Sequence, residues 1–244
     1  MGNNSIIWME VGFNLLYLIL IWGLVVLMRV RFDRVKEGQK NIANLFWVAL
    51  FTLAFGDTFH VGTRTIAYFL DGGLDASVSL FGASVGIVGW SALVTSVTVT
   101  IFYLFLLVIW IIRNQERVSA FVYLLFTVAG IRLGLLVLPE NQWGQPVPVQ
   151  PWSMVRNIPL FVLGVGVGVL FLWTAVAKKD RTYIWVGILI LFSFLTYLPV
   201  VIFVQAVPLL GMLMIPKTIA YLGIGWLFYR SLYGEQRIPT GTGD

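Results

Sequence analysis

The sequence predicts an all-α, polytopic membrane protein with seven transmembrane helices. Of its 244 residues, 59% are hydrophobic and 11% are charged, whereas a soluble domain carries about 25% charged residues. The apolar residues occur in blocks of about 20, the length that crosses a hydrocarbon layer of about 30 Å. Most basic residues lie in short stretches between these blocks. Together these observations exclude a soluble globular domain.

The predicted spans cover residues 6–28, 43–70, 89–112, 118–138, 154–177, 182–207 and 209–233. No basic stretch precedes the first block and no small-residue cleavage site follows it, so we expect a retained span rather than a signal peptide. Residues 1–233 are therefore predicted to form a single transmembrane domain, and residues 234–244 a short polar cytoplasmic tail.

The positive charge of the connectors predicts the orientation in the membrane. All of these basic residues fall on one side if the N-terminus is outside and the C-terminus is cytoplasmic. We therefore expect a multi-pass protein of the cell membrane that is embedded in the lipid bilayer. The connector and tail residues are Arg29, Arg31, Arg34, Lys36, Lys40, Arg113, Arg117, Lys178, Lys179, Arg181, Arg230 and Arg237.

The connectors of the opposite face, residues 71–89 and 139–153, are long, and they are rich in Gly and Ser or in Pro. Both are expected to be irregular, and long connectors of this kind commonly carry function or cover a pocket. Within the fifth span, Gly164 and Gly168 have the GxxxG spacing that is typical of a close helix contact.

The composition narrows the possible chemistry. The absence of cysteine excludes disulfides, thiolate metal sites and cysteine nucleophiles. The single histidine, His60, excludes a multi-histidine metal site, so neither a metal nor another cofactor is predicted. The net charge of +5 is explained by the connectors, so nucleic acid is not an expected partner.

The second span carries ionisable residues in the segment FGDTFHVGTR. Asp57, His60 and Arg64, together with Tyr68, fall within a narrow arc of one helix face at α-helical periodicity. A single charge at the bilayer centre costs about 2.5–3.5 kcal/mol, so this stripe is expected to face protein or water.

Four basic residues lie outside the connectors and map to the half of the membrane away from the cytoplasm: Arg64, Arg132, Arg156 and Lys217. Exposure of Asp57, Arg64, Arg132 and Lys217 to lipid would together cost on the order of 10 kcal/mol. Arg156 lies near the start of the fifth span, close to the interface, where a solvated or snorkelling side chain is expected. Polar side chains of other spans map to the same half, namely Glu10, Asn14, Tyr17, Ser96, Thr100, Tyr103 and Tyr221.

These groups predict an outward-facing, net-positive pocket for an anionic small molecule or a lipid headgroup. A pocket of this kind predicts a receptor, a sensor or a transport-like protein. The predicted ligand-binding residues are Arg64, Arg132, Lys217, Arg156, Glu10, Asn14, Tyr103 and Tyr221.

Two alternatives stay open on the sequence alone, and so does the oligomeric state. The first is a membrane-embedded lipid hydrolase or transferase in which His60 is the general base, Asp57 orients it and the cations stabilise an anion. The second is a structural subunit of a larger membrane complex whose polar cluster locks helix packing.

The patterns Gly56-Asp57-x-Phe59-His60, Arg156-Asn157-Ile158-Pro159 and Met214-Ile215-Pro216-Lys217-Thr218 resemble an uncharacterised family of bacterial seven-span membrane proteins. The resemblance covers most of the chain. It implies a seven-span fold and brings no established activity.

Shorter segments resemble three other families. The segment Gly82-Ala83-Ser84-Val85-Gly86 resembles the active serine segment of rhomboid proteases, although there the serine precedes its histidine. Phe59-His60 after Gly56 resembles the histidine segment of alkaline ceramidases, which are zinc enzymes with several histidines. Lys217 resembles the retinal lysine of rhodopsins, although microbial rhodopsins have an aspartate where this chain has Leu213.

Overall fold

The computed structural model describes residues 2–80, 83–115, 118–145 and 147–234 of the chain. Within these ranges, seven helical segments are long and apolar enough to cross a membrane. This confirms the predicted seven-span helical fold. The helices are α1 (Gly2–Val30), α2 (Lys40–Asp57), α3 (Thr63–Ala67), α4 (Ile87–Asn114), α5 (Ala120–Val137), α6 (Trp152–Ala177), α7 (Arg181–Phe203) and α8 (Met214–Tyr233).

The second span is not a single α-helix. One turn of π-helix, Thr58–Gly62, joins α2 to α3. A π turn adds a residue to the helical repeat, so the side chains after it are rotated relative to those before it, and such turns are frequent at functional sites. The sequence stripe from Asp57 to Tyr68 crosses this turn.

The connector 71–89 is less irregular than the sequence predicts. Strand β1 (Ser77–Leu80) pairs antiparallel with strand β2 (Ala83–Gly86). The alternation of polar and apolar residues in Ser-Val-Ser-Leu suits a strand. The connectors also contain short 3₁₀ turns at Phe32–Arg34, Glu37–Gln39, Gly73–Asp75, Pro139–Asn141 and Pro208–Leu213.

The end of the bundle with the β-hairpin, which we call the hairpin end, also carries the connector 139–151. A Cβ atom on Gly86 of β2 would lie 2.1 Å from the carbonyl oxygen of Gly144, so the glycine permits this close backbone approach. Gln205 Nε2, beyond α7, donates to the carbonyl oxygen of Pro148 at 2.6 Å. The hairpin end therefore brings the connectors after α3, α5 and α7 together.

The described basic connectors share the other end, which we call the basic end. There an ion pair between Arg113 and Asp180 joins α4 to α7. Lys178 Nζ donates to Asn114 Oδ1 at 2.7 Å. Arg117, Arg237 and the tail from residue 235 onward lie outside the described residues.

Aromatic rings fill much of the core between the helices. Phe46 of α2 stacks on Phe228 of α8 with ring centroids 3.8 Å apart, and Tyr183 of α7 meets the same ring edge-on at 5.3 Å. Such contacts contribute about 0.5–1.5 kcal/mol each beyond the burial of their area.

The GxxxG spacing in α6 marks a close helix contact, as predicted. A Cβ atom on Gly164 would lie 1.8 Å from Phe194 Cζ of α7, and one on Gly168 would lie 2.9 Å from Leu191 Cδ2. Tyr103 and Phe161 each hold the Phe194 ring at a centroid distance of 5.3 Å. The ring therefore has little freedom to move away from an added methyl group.

We expect Gly164→Ala to lower the free energy of unfolding by about 1–3 kcal/mol, because the added methyl group overpacks the interface between α6 and α7. The measurement is the thermal unfolding midpoint of the full chain in detergent. Gly134→Ala is the matched control, since a Cβ atom there meets nothing within 4 Å. A Gly164→Ala variant as stable as this control would contradict the assigned contact.

Candidate functional site

Asp57 links three helices near the middle of the bundle. The Tyr17 hydroxyl of α1 donates to Asp57 Oδ2, and the Thr95 hydroxyl of α4 donates to Asp57 Oδ1 at 3.4 Å. Gly56 permits the close approach of α2 and α4, because a Cβ atom there would lie 1.8 Å from Thr98 Oγ1. We call Tyr17, Asp57 and Thr95 the aspartate group.

Glu10 of α1 pairs with the second span closer to the hairpin end. Its carboxylate lies 3.4 Å from Arg64 Nη2 and accepts a hydrogen bond of 3.0 Å from the Tyr68 hydroxyl. The Glu10 and Arg64 side chains are 34% and 36% exposed, so this ion pair is half-solvated. One turn along α1, Asn14 Nδ2 donates to Thr65 Oγ1 at 3.4 Å.

Arg132 of α5 is the most deeply buried cation, with a residue exposure of 1%. Its Nε donates to Thr100 Oγ1 of α4 at 2.8 Å. Its Nη1 donates to the carbonyl oxygen of Arg156 at 3.1 Å and to Asn157 Oδ1 at 3.5 Å, both on α6. All of these acceptors are neutral, and no carboxylate among the described residues forms an ion pair with Arg132.

Arg156 is also buried, at 5% exposure, which corrects the expectation of a solvated side chain at the interface. Its Nη1 donates to Asn141 Oδ1 at 3.1 Å, and its guanidinium carbon lies 4.0 Å from the centroid of the Trp143 ring. The physical reason for the burial is that the connector after α5 folds over the side chain. We call Thr100, Arg132, Arg156 and Asn157 the arginine group.

Lys217, in the first turn of α8, lies between the two groups. It interacts electrostatically with Asp57 and with Arg132. Its Nζ lies 3.5 Å from the centroid of the Tyr197 ring, and the Tyr197 hydroxyl donates to Asn157 Oδ1 at 3.3 Å. The ammonium group thus rests on an aromatic face that is itself hydrogen-bonded to the arginine group.

The tyrosines named from the sequence also lie here. The Tyr103 hydroxyl of α4 donates to the Tyr221 hydroxyl of α8 at 3.5 Å. The Tyr221 ring centroid is 5.8 Å from Lys217 Nζ. The two phenols are therefore polar neighbours of the cations in an otherwise apolar part of the bundle.

His60 lies within the π turn and has a different environment from its neighbours in the predicted stripe. Its Nδ1 atom is buried and has no hydrogen-bond partner among the described residues. The predicted orienting contact from Asp57 is not among the bonds of the described residues, since that carboxylate accepts from Tyr17 and Thr95. The π turn gives the physical reason, because it breaks the periodicity that would have stacked Asp57 over His60.

The structure therefore brings the predicted site residues together in two places. Arg132 and Arg156 belong to the arginine group, and Lys217, Tyr221 and Tyr103 lie near it. The contacts of Glu10, Asn14 and Arg64 form a separate set between α1 and the second span. The predicted cavity between the cations stays a prediction. A surface groove of about 290 Å³ lies elsewhere, between α1 and α2 near the basic end.

Two further observations concern chemistry. No group of three or more His, Asp and Glu side chains among the described residues could hold a metal ion. Of the segment that resembles rhomboid proteases, Gly82 and the Ser84 side chain lie outside the described part of the chain.

Several polar residues of the site were not selected from the sequence. Asn141 and Trp143 lie in the proline-rich connector, where no periodicity indicates the direction of a side chain. Tyr197 is a lone phenol in an apolar helix, and Thr95 is a common residue in transmembrane helices. Asn157 is part of a sequence pattern but not of the predicted site, although its position next to a basic residue in a span is a usable signal.

The fold and the composition define a multi-pass integral membrane protein of seven helices. No family model, no curated protein and no solved structure matches the chain. The resemblance to bacterial seven-span proteins therefore stays a prediction.

We expect Tyr17→Phe to lower the free energy of unfolding by about 1.5–3 kcal/mol, because it removes a charge-assisted hydrogen bond to Asp57. Thermal unfolding in detergent is the measurement, and Tyr123→Phe on the exposed face of α5 is the matched control. The Asp57→Asn variant completes a double-mutant cycle. A coupling energy near zero in that cycle would show that the two side chains act independently.

Proposed function

We propose that the chain is a membrane receptor, sensor or transport-like protein that binds an anionic group at the arginine group and Lys217. The bound group would be a phosphate or carboxylate, either free or part of a lipid headgroup. One observation carries the proposal. Arg132 is 1% exposed, yet its described hydrogen bonds go to neutral acceptors alone.

The energetic argument rests on the cost of an uncompensated buried charge. Removing one partner of a buried ion pair costs about 3–5 kcal/mol, because the remaining charge is left without its counter-ion. The arginine group and Lys217 contribute three positive charges, and Asp57 is the nearby described carboxylate. An anion at this place would supply the missing counter-charge.

The arginine and tyrosine side chains of the site also suit an anionic ligand. Arginine presents a planar set of donors that matches a carboxylate or a phosphate in a bidentate manner. No described residue accepts a hydrogen bond from Arg132 Nη2. The hydroxyls of Tyr103 and Tyr221 lie close by and could add neutral donors. A low-dielectric surrounding strengthens each of these interactions.

The enzyme hypothesis has less support. A hydrolase or transferase of the predicted type needs a carboxylate that orients His60, and Asp57 is instead bonded to Tyr17 and Thr95. One observation favours a proton-transfer role for His60: its buried Nδ1 atom has no hydrogen-bond partner among the described residues. A purely structural role for the cluster would favour carboxylate partners for the arginines.

We also propose that the hairpin end faces outward, so that the site is reached from the outside. This orientation rests on the positive-inside rule, since the described basic connectors share the basic end. The C-terminus is then cytoplasmic.

We expect Arg132→Gln to weaken the binding of inorganic phosphate at least about tenfold, because the charge-assisted donors are lost. The measurement is the rise of the thermal unfolding midpoint of the purified full chain with phosphate concentration. Mass spectrometry of co-purified lipids from the same variants separates the two sources. A lipid that disappears with Arg132→Gln identifies a headgroup, whereas a phosphate response without such a lipid identifies a free anion.

Two controls accompany this experiment. Arg181→Gln removes the same charge at the exposed start of α7 and should leave the response unchanged. His60→Ala should retain the bound species if the site binds rather than reacts. Lys217→Met provides a second test if Arg132→Gln does not fold. Equal retention of phosphate and lipid by the wild type, Arg132→Gln and Lys217→Met would contradict the proposed site.

The orientation can be tested in intact cells because the chain has no cysteine. We expect Val147→Cys, at the exposed hairpin end, to react with a membrane-impermeant thiol reagent. Lys179→Cys, exposed at the basic end, should react only after the cells are permeabilised. The opposite labelling pattern would show that the N-terminus is cytoplasmic.

A further inference from the structure

A groove on the membrane-facing surface between α1 and α2 is independent of the anion site. It has a volume of about 290 Å³, and apolar or aromatic side chains line it on both walls apart from one cation, Arg29. The lining residues are Trp22, Val25, Val26, Arg29, Val30, Trp47 and Phe51.

Two tryptophans fix the shape of this groove. Trp22 Nε1 donates to Thr58 Oγ1 at 2.9 Å, and Trp47 Nε1 donates to the carbonyl oxygen of Val25 at 3.0 Å. Both bonds join α1 to the second span, so the two walls are held at a defined separation. Both indole N–H groups are satisfied, which leaves apolar ring faces toward the groove.

The apolar surface continues beyond the groove along the second span, away from the basic end. Phe51, Phe55 and Phe59 follow one another along the second span, with ring centroids 6.4 Å and 4.9 Å apart. They are 38%, 42% and 43% exposed. The result is a continuous, partly exposed aromatic ridge that begins at the groove and follows the second span.

Arg29 supplies the one positive charge of the groove, at its mouth. It lies in the last turn of α1, where the apolar span ends, and a side chain at the end of a span is expected at the depth of lipid phosphate groups. Its guanidinium carbon lies 5.5 Å from the Trp47 ring centroid and 5.7 Å from that of Phe32. No carboxylate among the described residues forms an ion pair with it.

We propose that one anionic phospholipid of the leaflet at the basic end binds in this groove. One of its two acyl chains lies along Val26, Phe51 and Phe55, and its phosphate contacts Arg29. Charge complementarity favours this occupant, since the groove combines an apolar floor with one positioned cation at headgroup depth. Basic residues between transmembrane helices at a membrane surface commonly bind such headgroups.

The test uses the full chain in nanodiscs that contain equal amounts of phosphatidylglycerol and phosphatidylcholine with identical acyl chains. Native mass spectrometry after release measures which lipid is retained. We expect the wild type to prefer phosphatidylglycerol, and Arg29→Gln to lose about fivefold of that preference. Val26→Trp, which fills the groove without changing the charge, should reduce the retention of both lipids.

Arg230→Gln is the matched control, because Arg230 is an exposed arginine in the last turn of α8 at the same end of the bundle. It should keep the preference of the wild type. An equal loss in Arg29→Gln and Arg230→Gln would show a general effect of surface charge and would overturn the proposal. Equal retention of the two lipids by the wild type, or unchanged retention in Val26→Trp, would also overturn it.

Discussion

The burial of Arg132 is the constraint on which the arrangement of the central helices depends. A guanidinium cannot lose its charge inside a protein, so it must find acceptors wherever the fold places it. Thr100 of α4 and the Arg156–Asn157 segment of α6 supply them. Helix α5 is otherwise almost wholly apolar, and an apolar helix has no preferred face toward a neighbour in lipid. The hydrogen bonds of Arg132 therefore fix the rotation of α5 between α4 and α6.

The aspartate group and the arginine group satisfy their charges in different ways. Asp57 accepts from two hydroxyl groups, which stabilise a carboxylate without neutralising it. Arg132 donates to a hydroxyl, a carbonyl and an amide, which likewise leave its charge in place. Lys217 lies between them and interacts with both. Each group is hydrogen-bonded, yet the excess of positive charge remains. Under the proposed function, this combination suits an anion, because the ligand would add its charge without first displacing a carboxylate.

The sequence predicts the spans well because a segment that crosses lipid must be a run of about 20 mainly apolar residues. Any charged residue within such a run is easily recognised in the sequence. The same rule reveals Arg132 and Lys217, since a charge within such a run must be buried in protein. It does not reveal their partners. Tyr197 and Thr95 are ordinary residues in apolar helices, and the fold of the connector that places Asn141 and Trp143 over Arg156 depends on tertiary contacts. The π turn was also missed, because an α-helical period had to be assumed for Asp57, His60 and Arg64 to share a face.

The aromatic partners of the cations separate structural charges from candidate binding charges. The guanidinium carbon of Arg113 lies 3.6 Å from the Tyr183 ring centroid, and the same side chain forms an ion pair with Asp180. The carboxylate neutralises the charge of Arg113, so this side chain serves to join α4 to α7. Arg156 and Lys217 have comparable ring contacts, with Trp143 and Tyr197, and lack a described ion pair. A cation–π contact holds a cation in position through the ring quadrupole and leaves its full charge available. Under the proposed function, ring contacts in place of carboxylates leave Arg156 and Lys217 positioned for an anionic partner from outside the chain.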